Sequence, residues 1–248
     1  MSVFSKIFRK KEPWVPFNLS FLGTDIHSHL IPGIDDGSKS MDDSLVLARG
    51  LVELGYKNAV TTPHIMSDYY RNTPEIINSG LTDINDAFEA NQIPLGVKGA
   101  AEYYIDYDFI TKVGKEKLLT FGDNYILVEF SFVEPPRAIN EAFFALQTNG
   151  YKPVLAHPER YSYWHMNPKE LFDLKDRDVL FQVNLLSLMG IYGEGSAKMG
   201  ETLIESSMVE WLGTDLHNEH QLGLLKNIKL KESFAQKVYA TKFLNQSL

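Results

Sequence analysis

Short apolar runs typical of β-strands alternate along the chain with longer stretches in which apolar residues recur at helical spacing. Residues 40–55 illustrate the helical pattern, because Leu45, Ala48, Leu51 and Val52 fall on one face before a terminating glycine. Similar helical patterns occupy residues 74–90, 137–149, 168–175, 198–207 and 219–246. The strand-like runs occupy residues 22–30, 58–64, 95–104, 125–131, 152–158, 179–184 and 209–217.

This alternation of strands and helices predicts a parallel α/β sheet covered by helices. No low-complexity or Ser/Gly-rich linker divides the 248 residues, and a chain of this length favours closure of the sheet into a barrel. We therefore predict an α/β fold with a single (β/α) barrel domain of about seven strands over residues 18–248, preceded by a basic tail at residues 1–17.

The basic tail interleaves Phe4, Ile7 and Phe8 with four lysine and arginine side chains. It is either a frayed segment that ends at Pro13 or a short amphipathic segment that contacts an anionic membrane surface. The first interpretation is favoured because so short a segment anchors weakly. No long apolar run or signal-peptide pattern is present, so we expect a cytoplasmic protein, with peripheral contact at the inner membrane face as the alternative.

The overall composition excludes several classes of function. The chain carries 24 basic and 32 acidic residues, a net charge of −8, which argues against a general affinity for nucleic acid phosphates. It contains no cysteine, so disulfides, thiolate zinc sites and cysteine nucleophiles are impossible. Candidate chemistry must therefore come from histidines and carboxylates.

Residue types that bind metals stand at the end of nearly every predicted strand. They are His27, His29, His64, Glu102, Glu129, His157, Asp215 and His217. In a barrel of parallel strands the C-terminal ends lie on one face, so these side chains are expected to share a cavity. Burying three carboxylates together is costly unless cations compensate them. The pattern therefore predicts a metal site.

The mixture of imidazole and carboxylate groups suits zinc, manganese or iron in a working site better than a structural zinc cage. Eight such residues exceed the needs of one tetrahedral ion, which predicts a multinuclear site with open positions. The loop at residues 32–38 adds Asp35 and Asp36. Taken alone, this loop favours a turn before an N-capped helix, but beside a metal site it is a candidate ninth ligand.

Six ordered motifs over residues 20–235 resemble the polymerase and histidinol phosphatase (PHP) family. They are DIHSHLIPGIDDG, TTPH, AAEYY, LVEFS, LAHPERY and GTDLHN. The closest likeness is to the bacterial metal-dependent protein tyrosine phosphatases of capsular and exopolysaccharide synthesis. This resemblance implies a distorted barrel of seven strands that holds three divalent ions, with manganese favoured over iron and zinc.

The same resemblance implies an assignment of the metal ligands. One ion would be held by His27, His29, Glu102 and Asp215, a second by Asp36, His64 and His217, and a third by Glu102, Glu129 and His157. This assignment makes Asp36 a ligand and leaves Asp35 to the turn. Arg160 matches an arginine that holds the substrate phosphate in these phosphatases, and its guanidinium fork can donate two hydrogen bonds to phosphoryl oxygens.

One departure concerns the substrate pocket. The resembling phosphatases carry a second phosphate-binding arginine shortly after the DxHN motif, whereas DLHNEHQLGLLK contains none. The compensating charge is then expected from elsewhere, with His220, Arg71 and Lys226 as candidates. Aromatic residues near the ligands, including Tyr104 and Tyr161, are candidate substrate contacts or packing residues of the barrel rim.

The implied activity is hydrolysis of a phosphomonoester by attack of a metal-activated water, most specifically on phosphotyrosine in a protein. The implied partner is a membrane-anchored bacterial tyrosine kinase. The alternatives are a histidinol-phosphate or other small-molecule phosphatase on the same site, and a non-catalytic, metal-stabilised binding module. A nuclease is disfavoured by the acidic net charge.

Overall fold

The computed structural model describes residues 12–248, so the basic segment around Phe4, Ile7 and Phe8 lies outside the described residues. The strands are β1 (Trp14–Pro16), β2 (Thr24–Ser28), β3 (Asn58–Thr61), β4 (His64–Ile65), β5 (Gly96–Gly99), β6 (Glu102–Tyr104), β7 (Tyr125–Glu129), β8 (Lys152–Ala156), β9 (Leu180–Asn184), β10 (Trp211–Gly213) and β11 (Lys229–Lys231). The helices are α1 (Met41–Glu53), α2 (Pro74–Ala90), α3 (Tyr107–Lys112), α4 (Ile139–Thr148), α5 (Lys169–Lys175), α6 (Glu194–Glu205), α7 (Glu219–Lys226) and α8 (Glu232–Ala240).

Parallel strands form a closed ring in two pieces. One sheet has the order β10-β9-β8-β7-β6-β4 and the other β2-β3-β5. Strands β3 and β4 continue one extended segment, as do β5 and β6, so these pieces correspond to the seven predicted strands. The backbone N–H of Asp215 donates to the carbonyl of His27 at 2.8 Å, and that of His29 to Leu216 at 3.0 Å. These bonds join the first strand of the ring to the last, which confirms the α/β fold with parallel strands and is consistent with a distorted barrel.

A compact apolar cluster fills the ring below the C-terminal strand ends. It includes Ile26, Val60, Leu127 and Trp211, all nearly inaccessible to solvent. These residues come from different strands, so a cluster that they share lies inside the ring. Leu127 precedes Glu129 by two residues and therefore faces the same side. The interior is thus an apolar floor with polar side chains above it, while a second and larger cluster joins the strands to the helices.

The first two helices begin at side-chain caps, of which only the first is expected from the sequence. Ser40 accepts a hydrogen bond from the N–H of Asp43, and Thr73 accepts one from that of Ile76. Pro74 occupies the first turn of α2, where its missing N–H costs nothing. Within residues 12–248, no helix is both long and apolar enough to cross a bilayer.

Three predicted elements differ in detail from the structure. The strand expected at residues 58–64 is interrupted at Pro63, which has no N–H to donate. The strand expected at 95–104 is also divided in two, at the residues between β5 and β6. The first part, β5, pairs with β3, and the second part, β6, pairs with β4 and β7. The helix expected at 198–207 begins earlier, at Glu194. The sequence pattern misses this start because the first turn of the helix carries no large apolar side chain.

Three short elements lie beyond what the sequence pattern predicts. Strands β1 and β11 pair antiparallel, with Trp14 opposite Lys231, and β11 divides the helical region expected at 219–246. Three residues are too few to show a strand period. Helix α3 begins at Asp106, whose side chain accepts from the N–H of Phe109 at 2.7 Å.

Candidate metal centre

The predicted metal ligands converge at the C-terminal ends of the strands. A cavity of about 260 Å³ is lined by Asp36, His64, Glu102, Glu129, Phe132, His157, Arg160, Tyr192, Asp215, His217, Asn218 and Gln221. His27 and His29 lie fully buried beneath it. Residues far apart in sequence thus share one site, as expected for a barrel of parallel strands.

Glu102 lies at the centre of this site and is completely buried. One of its carboxylate oxygens lies 3.0 Å from Nε2 of His27 and 3.3 Å from Nδ1 of His64. The same oxygen is 3.5 Å from Nε2 of His29, and the other oxygen is 3.0 Å from Nε2 of His157. One carboxylate therefore contacts four imidazoles, an arrangement suited to bridging neighbouring cations.

Three groups of side chains place their donor atoms within 4.8 Å of one another. The groups are His27, His29, Glu102 and Asp215; His29, Asp36, His64 and His217; and His64, Glu102 and Glu129. The first is the predicted set for one ion, and the second contains the predicted set for another. His157 lies beside the third, with Nε2 4.0 Å from a carboxylate oxygen of Glu129.

The unpartnered nitrogens of this site fit bound metal. Nε2 of His29 and Nδ1 of His64 are buried and have no hydrogen-bond partner among residues 12–248. Both nevertheless face one carboxylate oxygen of Glu102, at 3.5 and 3.3 Å, and Nδ1 of His64 also lies 3.0 Å from a carboxylate oxygen of Glu129. A buried polar atom without a partner is costly, and an imidazole nitrogen that shares space with carboxylates is a good ligand for a divalent cation. The donor set therefore fits a group of divalent ions.

Two of the predicted ligands have unusual backbone conformations. His157 has φ 36° and ψ 52°, and Asp215 has φ 52°. This left-handed region costs a non-glycine residue about 1 kcal/mol or more, and such residues cluster at functional sites. Both side chains line the cavity where their strands end.

Asp35 supports the site from outside the cavity. Nδ1 of His29 donates to its carboxylate at 2.8 Å, and the backbone N–H groups of His64 and Gly37 donate at 3.1 and 2.9 Å. A carboxylate that accepts from one imidazole nitrogen orients the other nitrogen toward a metal. Asp35 therefore belongs to the turn, as predicted, and also orients His29. Its neighbour Asp36 reaches the cavity with a side chain that is 55% exposed.

Strand β9 supplies no predicted ligand but supplies two neutral side chains that hold ligands. Gln182 accepts from Nδ1 of His27 at 2.8 Å and donates to Asn184 at 2.8 Å, and Asn184 donates to Asp215 at 2.7 Å. Gly213 leaves room for this chain, since a Cβ there would lie 2.6 Å from the Gln182 amide nitrogen. Sequence reasoning missed both residues, although two polar residues on one face of an otherwise apolar strand are a visible signal.

Replacement of Gln182 by leucine is expected to weaken metal affinity by about 10- to 100-fold, the usual effect of removing a group that orients a ligand. The substitution leaves Nδ1 of His27 without its acceptor, so the hydrogen bond that fixes the orientation of the ring from that side is lost. Competition with a chelator measures the change. Gln147→Leu, which removes an amide bonded to the carbonyl of Arg177 on the barrel exterior, is the matched control. Equal affinities in the two variants would contradict the orienting role.

Arg160 provides the positive charge at the rim of the cavity. Its Nη1 donates to Asp215 at 3.0 Å, the one hydrogen bond that its guanidinium makes with the described residues. The guanidinium carbon lies 4.7 Å from the ring centre of Phe132 and 4.2 Å from that of Tyr192. Its remaining N–H groups are suited to an oxyanion.

The carboxylates and imidazoles of the site shift one another's pKa values. Burial disfavours charge on both Asp215 and His27, but the opposite charges around each of them together outweigh burial. The pKa of Asp215 is held well below its usual range, with His217 and Arg160 contributing, and the pKa of His27 is raised to about 10, with Glu102 contributing most. The site thus holds Asp215 in the charged form that binds cations, whereas burial and the nearby Glu102 carboxylate raise the pKa of Glu129 to about 7.

The candidate substrate contacts Arg71, Tyr104 and Tyr161 lie outside the lining of the metal cavity, at different places. Arg71 and Tyr104 line a neighbouring cavity of about 340 Å³. Tyr161 is fully buried, and its hydroxyl oxygen accepts from the N–H of Phe130 at 2.9 Å. This position favours packing beneath the rim, and contact with a substrate would require the hydroxyl to become accessible.

The other candidate cations do not line the metal cavity. His220 is exposed in the first turn of α7. Lys226, at the end of the same helix, pairs with Glu53 at 2.6 Å. Among the residues lining the cavity, Arg160 is therefore the single lysine or arginine.

Comparison with known proteins places this site in a family. A family model described as capsular polysaccharide synthesis, CpsB/CapC, matches residues 23–241. The tyrosine-protein phosphatase YwqE of Bacillus subtilis (strain 168) is 34% identical over 195 residues, which are 78% of this chain and 77% of the relative. The tyrosine-protein phosphatase CpsB of Streptococcus pneumoniae is 28% identical over 200 residues, which are 78% of this chain and 82% of the relative.

Solved structures agree with the sequence matches. A crystal structure from a study of YwqE from Bacillus subtilis and CpsB from Streptococcus pneumoniae, described as metal-dependent tyrosine phosphatases, matches with a TM-score of 0.77 and 31% identity. The match covers 89% of this chain and 87% of that one. A lactonase from Listeria monocytogenes, 10% identical with a TM-score of 0.53 and covering 94% of this chain and 97% of its own, shares the fold alone.

The family model spans every strand of the ring and every predicted ligand. This confirms the resemblance that the six motifs indicate. The chain belongs to the CpsB/CapC family of capsular polysaccharide synthesis.

Proposed function

We propose that this protein is a metal-dependent protein tyrosine phosphatase of capsular or exopolysaccharide synthesis. The observation that carries the proposal is the cavity itself, in which nine predicted ligands gather next to the Arg160 guanidinium. Cations and a guanidinium on one cavity wall suit a phosphomonoester, whose reaction demands charge neutralisation and positioning. The names of the relatives support the same activity.

The proposed cofactor is a set of three divalent ions, with manganese favoured. We assign His27, His29, Glu102 and Asp215 to one ion, Asp36, His64 and His217 to a second, and Glu102, Glu129 and His157 to the third. When bound, such ions supply Lewis acidity and lower the pKa of water. Arg160 would bind the phosphoryl oxygens from the rim and is held in place by Asp215.

The proposed substrate is phosphotyrosine in a membrane-anchored bacterial tyrosine kinase, met by this protein at the inner face of the membrane. Aromatic rings flank the cavity, since Tyr70 stacks on His64 with ring centres 5.4 Å apart and Phe132 stacks on His157 at 5.5 Å. The side chain of Phe132 is 43% exposed, so the rim is open to a substrate on a protein surface. Apolar rings at an open rim suit a phenyl group better than an imidazole alcohol such as histidinol.

Turnover of three phosphomonoesters tests the proposal. The manganese-loaded protein is expected to hydrolyse a phosphotyrosine peptide faster than histidinol phosphate, with p-nitrophenyl phosphate as a reference. A chelator should abolish the activity and added manganese restore it. Arg160→Ala should lower kcat/KM by about 100-fold, because a charged hydrogen-bond donor to the phosphoryl group is lost.

Arg177→Ala, which removes a guanidinium bonded to Asn140 on the barrel exterior, is the matched control and should retain full activity. Faster turnover of histidinol phosphate would favour the small-molecule alternative. A folded, manganese-loaded protein without activity on any of the three substrates would contradict the enzymatic proposal and favour a metal-stabilised binding module.

A further inference from the structure

A tyrosine faces Arg160 from an uncharged part of the cavity wall. Tyr192 lies between the turn at Ser187–Met189 and helix α6. Glycines on both sides adopt positive φ, 80° at Gly190 and 99° at Gly193, a conformation that other residues rarely accept. The carbonyl of Tyr192 also accepts from the Ser196 hydroxyl at 3.1 Å. The backbone is therefore fixed so that this side chain lines the cavity.

The ring of Tyr192 contacts the guanidinium of Arg160 directly. Its centre lies 4.2 Å from the guanidinium carbon, within the range of a cation–π interaction. Phe132 contacts the same group at 4.7 Å. Two aromatic rings and the carboxylate of Asp215 thus restrict the orientation of the Arg160 side chain. Tyr192 lines the same cavity as Arg160.

The orientation of Gln221 determines the role of that hydroxyl. The Gln221 carbonyl oxygen accepts from the backbone N–H of His217 at 2.7 Å. Its amide nitrogen must then be the atom that faces the Tyr192 hydroxyl, at 3.4 Å. An amide nitrogen can only donate, so the Tyr192 oxygen accepts and its proton remains available to another acceptor.

We propose that Tyr192, oriented by Gln221, binds the substrate by donating a hydrogen bond from its hydroxyl to a phosphoryl oxygen beside Arg160. This inference rests on the proposed phosphatase function and names a further residue for it. A neutral donor suits the position, because Arg160 and the proposed divalent ions would already supply the positive charge that a phosphoryl group requires. Burial raises the pKa of Tyr192 to about 12, so the phenol keeps its proton over the whole range of neutral pH.

Tyr192→Phe isolates the hydroxyl, since the aromatic contact with Arg160 remains. The inhibition constant of inorganic phosphate and the KM for p-nitrophenyl phosphate are expected to rise about tenfold, as for loss of a hydrogen bond to a charged group. The value of kcat should change by less than about twofold, because the bond holds substrate and transition state alike. Metal content should equal that of the wild type.

Gln221→Glu tests the orientation of the hydroxyl proton. The substitution keeps an oxygen for the backbone N–H of His217 but replaces the amide nitrogen by an acceptor, which draws the Tyr192 proton away from the cavity. Phosphate inhibition should weaken in this variant. In a Tyr192→Phe background the same substitution should weaken it by a smaller factor, since the proton is already absent.

Tyr239→Phe is the control for removal of a phenol hydroxyl, because that hydroxyl accepts from the N–H of Asn18 far from the cavity. It should leave phosphate inhibition unchanged. If wild-type protein hydrolyses p-nitrophenyl phosphate but Tyr192→Phe matches it in KM and phosphate inhibition, the inference is overturned while the phosphatase function stands. Loss of bound metal in Tyr192→Phe would also overturn it, by revealing a structural role. Absence of hydrolysis in the wild type would instead overturn the function on which it rests.

Discussion

Glu102→Gln should lower kcat/KM for a phosphotyrosine peptide by about a thousandfold or more and remove most of the bound metal. Its carboxylate lies within 3.5 Å of nitrogens on His27, His29, His64 and His157, so two of the proposed ions lose a ligand together. The amide of glutamine has the same shape but no charge, and its NH2 group presents protons where a ligand oxygen is needed. Elemental analysis and steady-state kinetics on the same sample measure both effects.

Glu210→Gln is the matched control for this substitution. Glu210 is a half-buried glutamate that pairs with Lys175 and accepts from the N–H of Phe181 at 2.9 Å, at the start of β10 and away from the ligand-bearing strand ends. Its variant should retain metal and activity if it folds. A Glu102→Gln protein with full metal content and activity above about a tenth of wild type would contradict a bridging role for Glu102.

The convergence of the candidate ligands is largely predictable from sequence, because these residues are chemically distinctive and occupy equivalent positions. A histidine or carboxylate at the end of one strand is uninformative, but His64, Glu102 and Glu129 repeat the pattern on successive strands. Parallel strand ends must then meet. The separate roles of Asp35 and Asp36 cannot be predicted from the strand pattern, because adjacent identical residues give no local signal that distinguishes them. Their separation rests on the family resemblance and on the contact of Asp35 with His29.

The roles of the neutral side chains are not predictable in this way, even where a polar pair such as Gln182 and Asn184 stands out on an apolar strand. Gln182 orients His27, and Tyr192 contacts Arg160, yet amide and phenol groups occur throughout the chain without such roles. Their function depends on which side chains the closed barrel places opposite them. Residues 192 and 160 are separated by a whole strand–helix unit, so only the three-dimensional fold brings the ring onto the guanidinium. The short antiparallel ribbon of β1 and β11 escapes prediction for a related reason, since its pairing joins distant segments.

Metal binding should release about three to four protons per protein at pH 7 and strengthen steeply with pH. Burial disfavours the charged imidazolium, but nearby carboxylates outweigh it in the metal-free protein. Glu102 contributes most at His27 and His64, whose pKa values rise to about 10, and Asp215 contributes most at His217, whose pKa rises to about 9. These imidazoles carry protons at pH 7 and must lose them to bind a cation.

The sign of the pH effect follows from the direction of these shifts. Lowering the pH below about 9 protonates His217 as well as His27 and His64, so each competes with the cation and costs up to about tenfold in affinity per pH unit. Glu129 adds a further fraction of a proton, because burial raises its pKa to about 7. His157 adds none, because burial lowers its pKa to about 4. Calorimetry in buffers of different ionisation enthalpy counts the protons, and His217→Gln at saturating metal should release about one fewer. Two results together would contradict this prediction: release of less than one proton, and a metal affinity that does not change between about pH 6 and 8. They would show that the metal-free imidazoles are already neutral and that the carboxylates do not raise their pKa values.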